Sequence, residues 1–166
     1  FRPDSNFFYL TGFREAESVA VLMPGRSSGE YVLFCRERPP AEERWEGLRA
    51  GIEGALEVYR NNDCDGIIAL GGGSVLDSGK ALRVAATHPE PIIEYLRDPS
   101  KITAKVAPYI TIPTTAGTGA EITIGGGIHP EPGKHQLGIR SPYVKPDLVI
   151  CDPELTLTLP PILTAG

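Results

Sequence analysis

The sequence predicts an α/β fold: a single mixed sheet in which an antiparallel meander joins parallel βα units, with helices on its faces and an additional β-hairpin. Two apolar runs separated by a Pro/Gly/Ser loop, residues 18–23 and 30–36, are typical of a hairpin. Apolar residues recur at helical spacing over residues 41–61. The uninterrupted apolar run 67–70 then leads into a glycine turn and a second helical pattern, as a buried parallel strand requires.

The first part of the chain predicts three antiparallel strands and one helix. The strands are short apolar or aromatic runs bounded by turn residues, namely Phe7–Leu10, Ser18–Met23 and Glu30–Arg36. Pro39 and Pro40 stop the last of these strands, because proline has no amide hydrogen to donate to a ladder. The helix predicted over residues 41–61 is amphipathic, with Trp45 and Leu48 on its apolar side.

The second part alternates strands and helices, which is typical of parallel βα units. Its predicted strands are residues 67–70, 107–112, 122–128, 136–139 and 148–151. A helix is predicted from Ser74 to Thr87, where His88 and the prolines after it break the pattern. Asp152 and Pro153 predict a further helix start, with the aspartate as its cap and the proline at the first helical position.

Composition and charge are those of an ordinary globular protein, and they exclude some classes of partner. The chain has 166 residues, enough for one domain with a real core. Its net charge of -5 and the lack of a basic stripe argue against nucleic acid as a partner. No apolar run is long enough to span a bilayer, so no membrane partner is predicted.

Cysteine usage indicates the compartment. The three cysteines are widely spaced and form no CxxC motif; they are Cys35, Cys64 and Cys151. We expect reduced thiols that act as small hydrophobes, and therefore a cytoplasmic protein without a disulfide framework. No signal peptide is visible, and because the first residue is Phe1 rather than methionine, we expect the natural start to lie upstream.

The glycine turn after the strand 67–70 is the first candidate binding element. Gly71, Gly72 and Gly73 lack Cβ atoms, so their backbone amides can approach a ligand closely. Ser74 is predicted as the N-cap of the next helix, with Asp77 three residues later in its first turn. The positive helix end favours an anion, while the alternative is a plain strand-to-helix turn. The turn matches neither the G-x-G-x-x-G fingerprint nor a P-loop.

A threonine loop after the next predicted strand supports the first element. The hydroxyls of Thr114, Thr115 and Thr118 follow the strand 107–112, and Gly117 and Gly119 lie between and after them. In an open α/β sheet, ligands bind outside the carboxyl ends of the strands, where both loops are expected. Together the loops predict a phosphate-bearing ligand, and the alternative is a polar crossover loop.

No catalytic or metal-binding residue is predicted from the residues alone. His129 and His135 bracket a turn and could share a metal across a hairpin, but no third ligand accompanies them, which favours solvent-facing histidines. His88 is predicted at a helix C-terminus, where the dipole favours a cation. The segment around Ser74 lacks the second glycine of a G-x-S-x-G nucleophile elbow.

Residues from about 62 to 166 resemble the iron-dependent alcohol dehydrogenases. The segments that carry the resemblance are Cys64–Asp77, Ile112–Gly119, Gly138–Pro142 and Asp152–Pro161. The resemblance implies that the glycine turn holds the pyrophosphate of NAD or NADP, with the threonine loop beside the adenine and ribose. It implies cofactor contacts for Gly72, Gly73, Ser74, Thr114, Thr115 and Thr118, to which we add the neighbouring Gly71 and Asp77.

The chain also departs from the pattern of that family. Ala120 stands where the family usually has serine, Gly79 where it usually has alanine, and Gln136 where a lysine near the cofactor is common. In the family, the metal-binding helix with its first aspartate and histidine begins just after the point that matches Gly166. The resemblance therefore predicts no metal site and no catalytic residue on this chain, which is not expected to act as an enzyme alone.

Residues 1–54 resemble a different family, the N-terminal domain of Xaa-Pro aminopeptidases (aminopeptidase P). The segments that carry this resemblance are Phe1–Phe13, Val32–Arg38, Trp45 and Arg49–Gly51. The two resemblances meet inside one predicted helix, near residues 53–57. We interpret the chain as a chimera that forms one α/β domain, 1–166, from segments 1–54 and 55–166; a single natural family is the alternative.

Three functions follow from this interpretation. The first is a chimeric α/β protein without a complete active site that retains a partial dinucleotide or phosphate site at Gly71–Ser74. The second is a folded scaffold without a ligand, or a module that forms homodimers through unpaired edge strands. The third is a fragment of an NAD-dependent alcohol dehydrogenase with residual oxidoreductase activity.

Overall fold

A computed structural model describes residues 19–22, 31–34, 51–128, 136–157 and 159 of the chain. The strands in them are β1 (Val19–Leu22), β2 (Tyr31–Phe34), β3 (Ile67–Gly71), β4 (Tyr109–Pro113), β5 (Gly125–Ile128), β6 (Leu137–Arg140) and β7 (Leu148–Val149). The α-helices are α1 (Gly51–Asn61), α2 (Gly73–Thr87) and α3 (Ile92–Arg97). Short 3-10 helices cover Pro99–Lys101, Pro142–Val144 and Pro153–Thr156.

The strands of these ranges form a parallel sheet and two antiparallel pairs. The parallel sheet has the order β3-β4-β7, with β4 in the centre. Ile67 pairs with Tyr109 and Gly71 pairs with Pro113, so β3 and β4 end at the same edge. β1 pairs with β2, and β5 pairs with β6 as a separate hairpin.

The α/β class, the parallel βα units and the additional hairpin are confirmed. Among the described residues the antiparallel pair and the parallel strands form separate ladders, and β1 lies beside β3 while β2 contacts α1. The predicted strand Phe7–Leu10 and the first ten residues of the helix predicted over 41–61 lie outside the described residues. The cap predicted at Asp152 is confirmed, because its side chain accepts a hydrogen bond from the Glu154 amide at 2.9 Å.

One face of the parallel sheet is buried under helices. Burial alternates along β3 and β4, as period-2 strands require, and Ile67, Ala69 and Tyr109 are almost completely buried. These side chains pack with Ala55 of α1 and Leu76 of α2 in one core cluster. Helices α1 and α2 therefore cover the same face, and α2 lies between the sheet and the β5–β6 hairpin.

Of two predictions about single residues, the one for Cys151 is wrong and the one for His88 at the helix end is confirmed. Cys151 was expected to be buried at the end of a strand, but it is exposed, because β7 ends at Val149 and the chain then leaves the sheet. His88 is the C-cap of α2, as predicted. Its Nε2 accepts the Thr103 amide at 3.1 Å, and its Nδ1 lies 3.1 Å from the Val84 carbonyl oxygen.

Arg83 is a buried charged residue that joins α2 to the parallel sheet. Its guanidinium donates to the Ala107 and Lys145 carbonyls at 2.5 Å each and to the Asp147 carboxylate at 2.6 Å. The same Asp147 oxygen accepts the Tyr109 amide at 2.8 Å. Arg83 therefore fixes the start of β4 and the approach to β7 against one helix.

No helix of the described residues is long and apolar enough to cross a membrane.

We predict that Arg83→Leu lowers the free energy of unfolding by about 2–4 kcal/mol, because the buried Ala107 carbonyl and the Lys145 carbonyl lose their donor and Asp147 loses its partner. The matched control is Arg97→Leu, which removes an exposed arginine paired with Glu94 at 3.2 Å and is expected to cost about 0.5 kcal/mol or less. Urea unfolding followed by circular dichroism measures both. Equal losses in the two variants would contradict the proposed role of Arg83.

Candidate functional site

The glycine turn connects β3 directly to α2. The N-cap of α2 is Gly72, which has an extended backbone, and no side chain caps the helix. The Gly72 carbonyl accepts the first helical bond from the Leu76 amide at 3.1 Å. The prediction that Ser74 is the N-cap is wrong, because the helix begins one residue before it. Ser74 instead lies exposed in the first turn.

The start of α2 presents backbone donors. The first N–H groups of an α-helix have no partner within the helix, and no cap side chain bonds to those of α2. The helix dipole adds partial positive charge at the same point. Because α2 contains 15 residues, it is long enough for this dipole to develop fully. The turn therefore has the electrostatic character that an anion requires.

The threonine loop packs directly on the glycine turn. The Thr114 amide donates to the Gly71 carbonyl at 3.0 Å. A Cβ atom on Gly73 would lie 2.9 Å from Thr118 Cγ2, and one on Gly72 would lie 3.4 Å from Thr115. Gly73 is thus needed for contact between two loops of the protein, in addition to the ligand approach predicted from the sequence, whereas a Cβ atom on Gly72 would make an ordinary contact.

The threonine loop takes its shape from glycines. Gly117 has φ +110° and Gly119 has φ +64°, values that L side chains rarely adopt. The Thr118 hydroxyl accepts the Ala120 amide at 3.3 Å, which closes the end of the loop. Thr114 and Thr115 are half-buried and Thr118 is exposed. The structure thus brings all three predicted threonines together around the glycine turn.

Asp77 lies on the side of α2 that faces the hairpin. One carboxylate oxygen pairs with Lys80 Nζ at 3.0 Å, and the other accepts the Gly127 amide at 2.9 Å. A Cβ atom on Gly126 would lie 2.7 Å from the Asp77 carboxyl carbon. Both oxygens of Asp77 are therefore bonded within the protein, and they hold β5 against the helix.

Sequence reasoning missed Lys80, which is completely buried. Its ammonium group donates to Thr123 Oγ1 at 2.9 Å and to the Gly125 carbonyl at 2.6 Å, besides its ion pair with Asp77. These three acceptors satisfy the three donors of an ammonium group. The available signal was the spacing: Lys80 follows Asp77 by three residues inside an otherwise apolar part of α2, which places both on one helical face.

The described residues contain no group of three or more His, Cys, Asp and Glu side chains that could hold a metal ion. His129 and His135 lie outside the described residues, so the predicted alternatives for them stay open.

Two family models match the chain. Residues 46–153 match the model described as iron-containing alcohol dehydrogenase. Residues 1–70 match the model described as the aminopeptidase P N-terminal domain. The two ranges overlap over residues 46–70, which contain α1 and most of β3. Both resemblances predicted from the sequence are thereby confirmed.

Individual relatives come from the dehydrogenases. The chain is 42% identical over 120 residues to 4-hydroxybutyrate dehydrogenase of Cupriavidus necator, an alignment covering 70% of this chain and 31% of the relative. It is 37% identical over 138 residues to choline dehydrogenase of Bacillus subtilis (strain 168), covering 82% of this chain and 33% of that relative. The second alignment covers more of the chain than residues 55–166 contain, so it extends into the first segment.

A solved structure supports the fold. Sulfoacetaldehyde reductase from Bifidobacterium kashiwanohense, described in complex with NAD+, matches with a TM-score of 0.63 and 34% sequence identity. The match covers 69% of this chain and 30% of that chain. This chain therefore spans about a third of the length of the relatives it matches.

We predict that Gly73→Ala destabilises the protein by about 1–3 kcal/mol and displaces Thr118, because the new methyl group overlaps the Thr118 side chain. Gly72→Ala is the matched control. Its Cβ atom lies at an ordinary contact distance from Thr115, so its expected cost is that of a poorer N-cap, roughly 0.5–1 kcal/mol, and Thr118 should not move. Urea unfolding and the amide resonances of Thr118 and Ala120 measure both effects. Unmoved resonances in Gly73→Ala would refute this packing.

Proposed function

Because this chain belongs to the iron-containing alcohol dehydrogenase family, we propose that its glycine turn and threonine loop form a partial binding site for NAD or NADP. One observation carries the proposal: the two loops leave the parallel sheet at the paired residues Gly71 and Pro113, side by side at its carboxyl edge. Ligands of open α/β sheets bind at this edge. The complex of sulfoacetaldehyde reductase with NAD+ supports the choice of cofactor.

The first turn of α2 is proposed to bind the pyrophosphate. The helix has no side-chain cap, so the amides of Gly73 and Ser74 can donate to phosphate oxygens. The exposed Ser74 hydroxyl adds a further donor. Gly72 contributes through its missing side chain, which leaves the backbone accessible on the side not covered by Thr115.

The threonine loop is proposed to contact the adenosine part of the cofactor. Thr115 and Thr118 lie against the glycine turn, and Thr114 is bonded to its first residue. Asp77 is assigned a supporting role, because its carboxylate would repel a pyrophosphate and both its oxygens are bonded to Lys80 and Gly127. It holds the hairpin in place beside the turn.

The residues assigned here bind and orient a dinucleotide. When bound, NAD supplies a hydride acceptor. The described residues do not fit a metal site.

We further propose that the chain is a chimera of segments 1–54 and 55–166 joined within α1 into one domain. A cytoplasmic location is part of the same proposal and rests on the sparse cysteines.

A second candidate function is self-association through β7. This strand pairs with β4 on one side only within the described sheet order. Leu148 in this strand is 51% exposed, and Ile150 just after it is 45% exposed. An edge strand with exposed aliphatic side chains can pair with another chain, here proposed to be a second copy.

We predict that Ser74→Asp weakens NAD binding by about tenfold or more, on the order of 1.4 kcal/mol, because a carboxylate in the first turn occupies the anion position. The same charge favours the helix dipole, so the variant should be as stable as the wild type or more stable. The matched control is Ser74→Asn, which has the same size without the charge and should keep most of the affinity.

Nitrogen-15 NMR titration with NAD, followed at the amides of residues 71–75, measures this prediction. The expected result for the wild type is saturable shifts that Ser74→Asn retains and Ser74→Asp loses. Wild-type amides that do not shift at millimolar NAD would overturn the proposed function. Equal binding by the two variants would place the ligand elsewhere.

For the second candidate we predict a mass that rises with concentration in static light scattering, and a monomer when Leu148 is changed to Lys. The introduced ammonium group would have to be buried in a strand-paired interface, which is costly. Ala104→Lys adds the same charge at an exposed loop position and should associate as the wild type does. A strict monomer over a wide concentration range excludes this candidate.

A further inference from the structure

Tyr109 is a large side chain at the start of the central strand, and it is completely buried. Its hydroxyl donates to the Leu76 carbonyl of α2 at 2.6 Å. Burial raises the pKa of this hydroxyl well above its ordinary value, and the Asp77 charge raises it further while Arg83 acts in the opposite direction. The group therefore keeps its proton and remains a hydrogen-bond donor across the physiological pH range.

The ring of Tyr109 fills the space beside Gly79. A Cβ atom on Gly79 would lie 2.7 Å from Tyr109 Cε2 and 2.8 Å from Cζ, closer than real Cβ contacts. The glycine, which is unfavourable inside a helix, is thus explained by one neighbour: Tyr109 occupies the volume that a methyl group would need.

Leu76 connects this contact to the glycine turn. Its amide donates to the Gly72 carbonyl at 3.1 Å, while its carbonyl accepts the Tyr109 hydroxyl. Tyr109 begins β4, and just after the other end of β4 the Thr114 amide donates to the Gly71 carbonyl at 3.0 Å. β4 therefore holds the turn at two points, one through α2 and one through the threonine loop.

We propose that Tyr109, with Gly79 as the residue that makes room for it, is the positioning residue that sets the first turn of α2 against β4 and thereby shapes the anion-binding turn. Tyr109 does not touch the proposed ligand and acts through Leu76. The proposal rests on the proposed function for its binding consequence. The positional consequence can be measured without any ligand.

The first test compares two conservative variants of buried tyrosines. Tyr109→Phe removes only the hydroxyl that bonds to Leu76. Tyr95→Phe is the matched control, because Tyr95 of α3 is also buried and its hydroxyl accepts the Glu90 amide at 3.2 Å. Each variant should lower the folding equilibrium constant by about three- to tenfold, as expected for one lost hydrogen bond.

Stability alone does not distinguish the two tyrosines, so the deciding readout is local. In Tyr109→Phe the amide resonances of Gly72, Gly73 and Leu76 should move, and NAD affinity should fall by about threefold or more. In Tyr95→Phe both should stay as in the wild type. Unmoved turn amides in Tyr109→Phe, or equal movements in the two variants, would overturn the proposal.

A second test adds a methyl group at residue 79 and then replaces the ring of residue 109 by a smaller side chain. Gly79→Ala alone should displace α2 and lower stability, because the methyl group overlaps the tyrosine ring. The double variant Gly79→Ala/Tyr109→Leu removes that overlap, and it should restore most of the stability lost in Gly79→Ala while leaving the turn amides shifted. Additive losses in the double variant would overturn the coupling of the two residues.

These readouts separate the proposal from the proposed function. If wild-type amides at the turn do not respond to NAD but still move in Tyr109→Phe, the cofactor assignment fails and the positioning role stands. If the wild type binds NAD and Tyr109→Phe binds it equally with unmoved amides, the positioning role fails and the cofactor site stands.

Discussion

Helix α2 is held at a close distance on two sides by buried polar contacts, and the sheet, the hairpin and the glycine turn all take their positions from it. On the sheet side, the Tyr109 hydroxyl of β4 donates to the helix backbone. The Arg83 guanidinium of the helix donates in turn to the backbone just before β4. On the hairpin side, Asp77 and Lys80 bond to the backbone of β5. Buried polar groups are costly unless they are satisfied, so these contacts favour one arrangement of the elements.

Small residues make this close packing possible. Gly79 admits the Tyr109 ring, Gly126 lies against the Asp77 carboxylate, and Gly73 lies against Thr118. Each glycine lowers the intrinsic stability of its element, and each allows a contact that a methyl group would prevent. The polar contacts and the glycines therefore depend on each other: a buried ammonium group such as that of Lys80 can reach a backbone carbonyl of β5 only because the hairpin approaches closely.

The sequence predicts the elements of this arrangement better than the contacts between them. The apolar run of β3 and the glycine turn are local patterns, so their identity and order follow from the residues. The sequence pattern wrongly predicts Ser74 as the N-cap of α2. The N-cap is Gly72, because a glycine can occupy an N-cap position without a side-chain bond. Other contacts join residues far apart in the chain, which no local pattern reveals. They are the bonds of Lys80 to the hairpin, of Tyr109 to Leu76 and of the Thr103 amide to His88.

The same distinction limits what the glycine motif implies about ligands. Gly73 is required by the contact with Thr118 whether or not a phosphate binds. A sequence match in the glycine turn is therefore evidence for the fold, and by itself it is not evidence for a bound phosphate. What points to a ligand is the combination that packing does not require: an uncapped first turn, an exposed Ser74 and a threonine loop at the same sheet edge.

The two family matches can be reconciled by the position of α1. Both matched ranges include this helix and the start of β3, and in the structure α1 packs against α2 while β2 contacts α1. In the proposed chimera, a junction within α1 would preserve the helical phase that directs Ala55 into the core. A junction in β3 would instead risk a one-residue shift that turns every side chain to the opposite face.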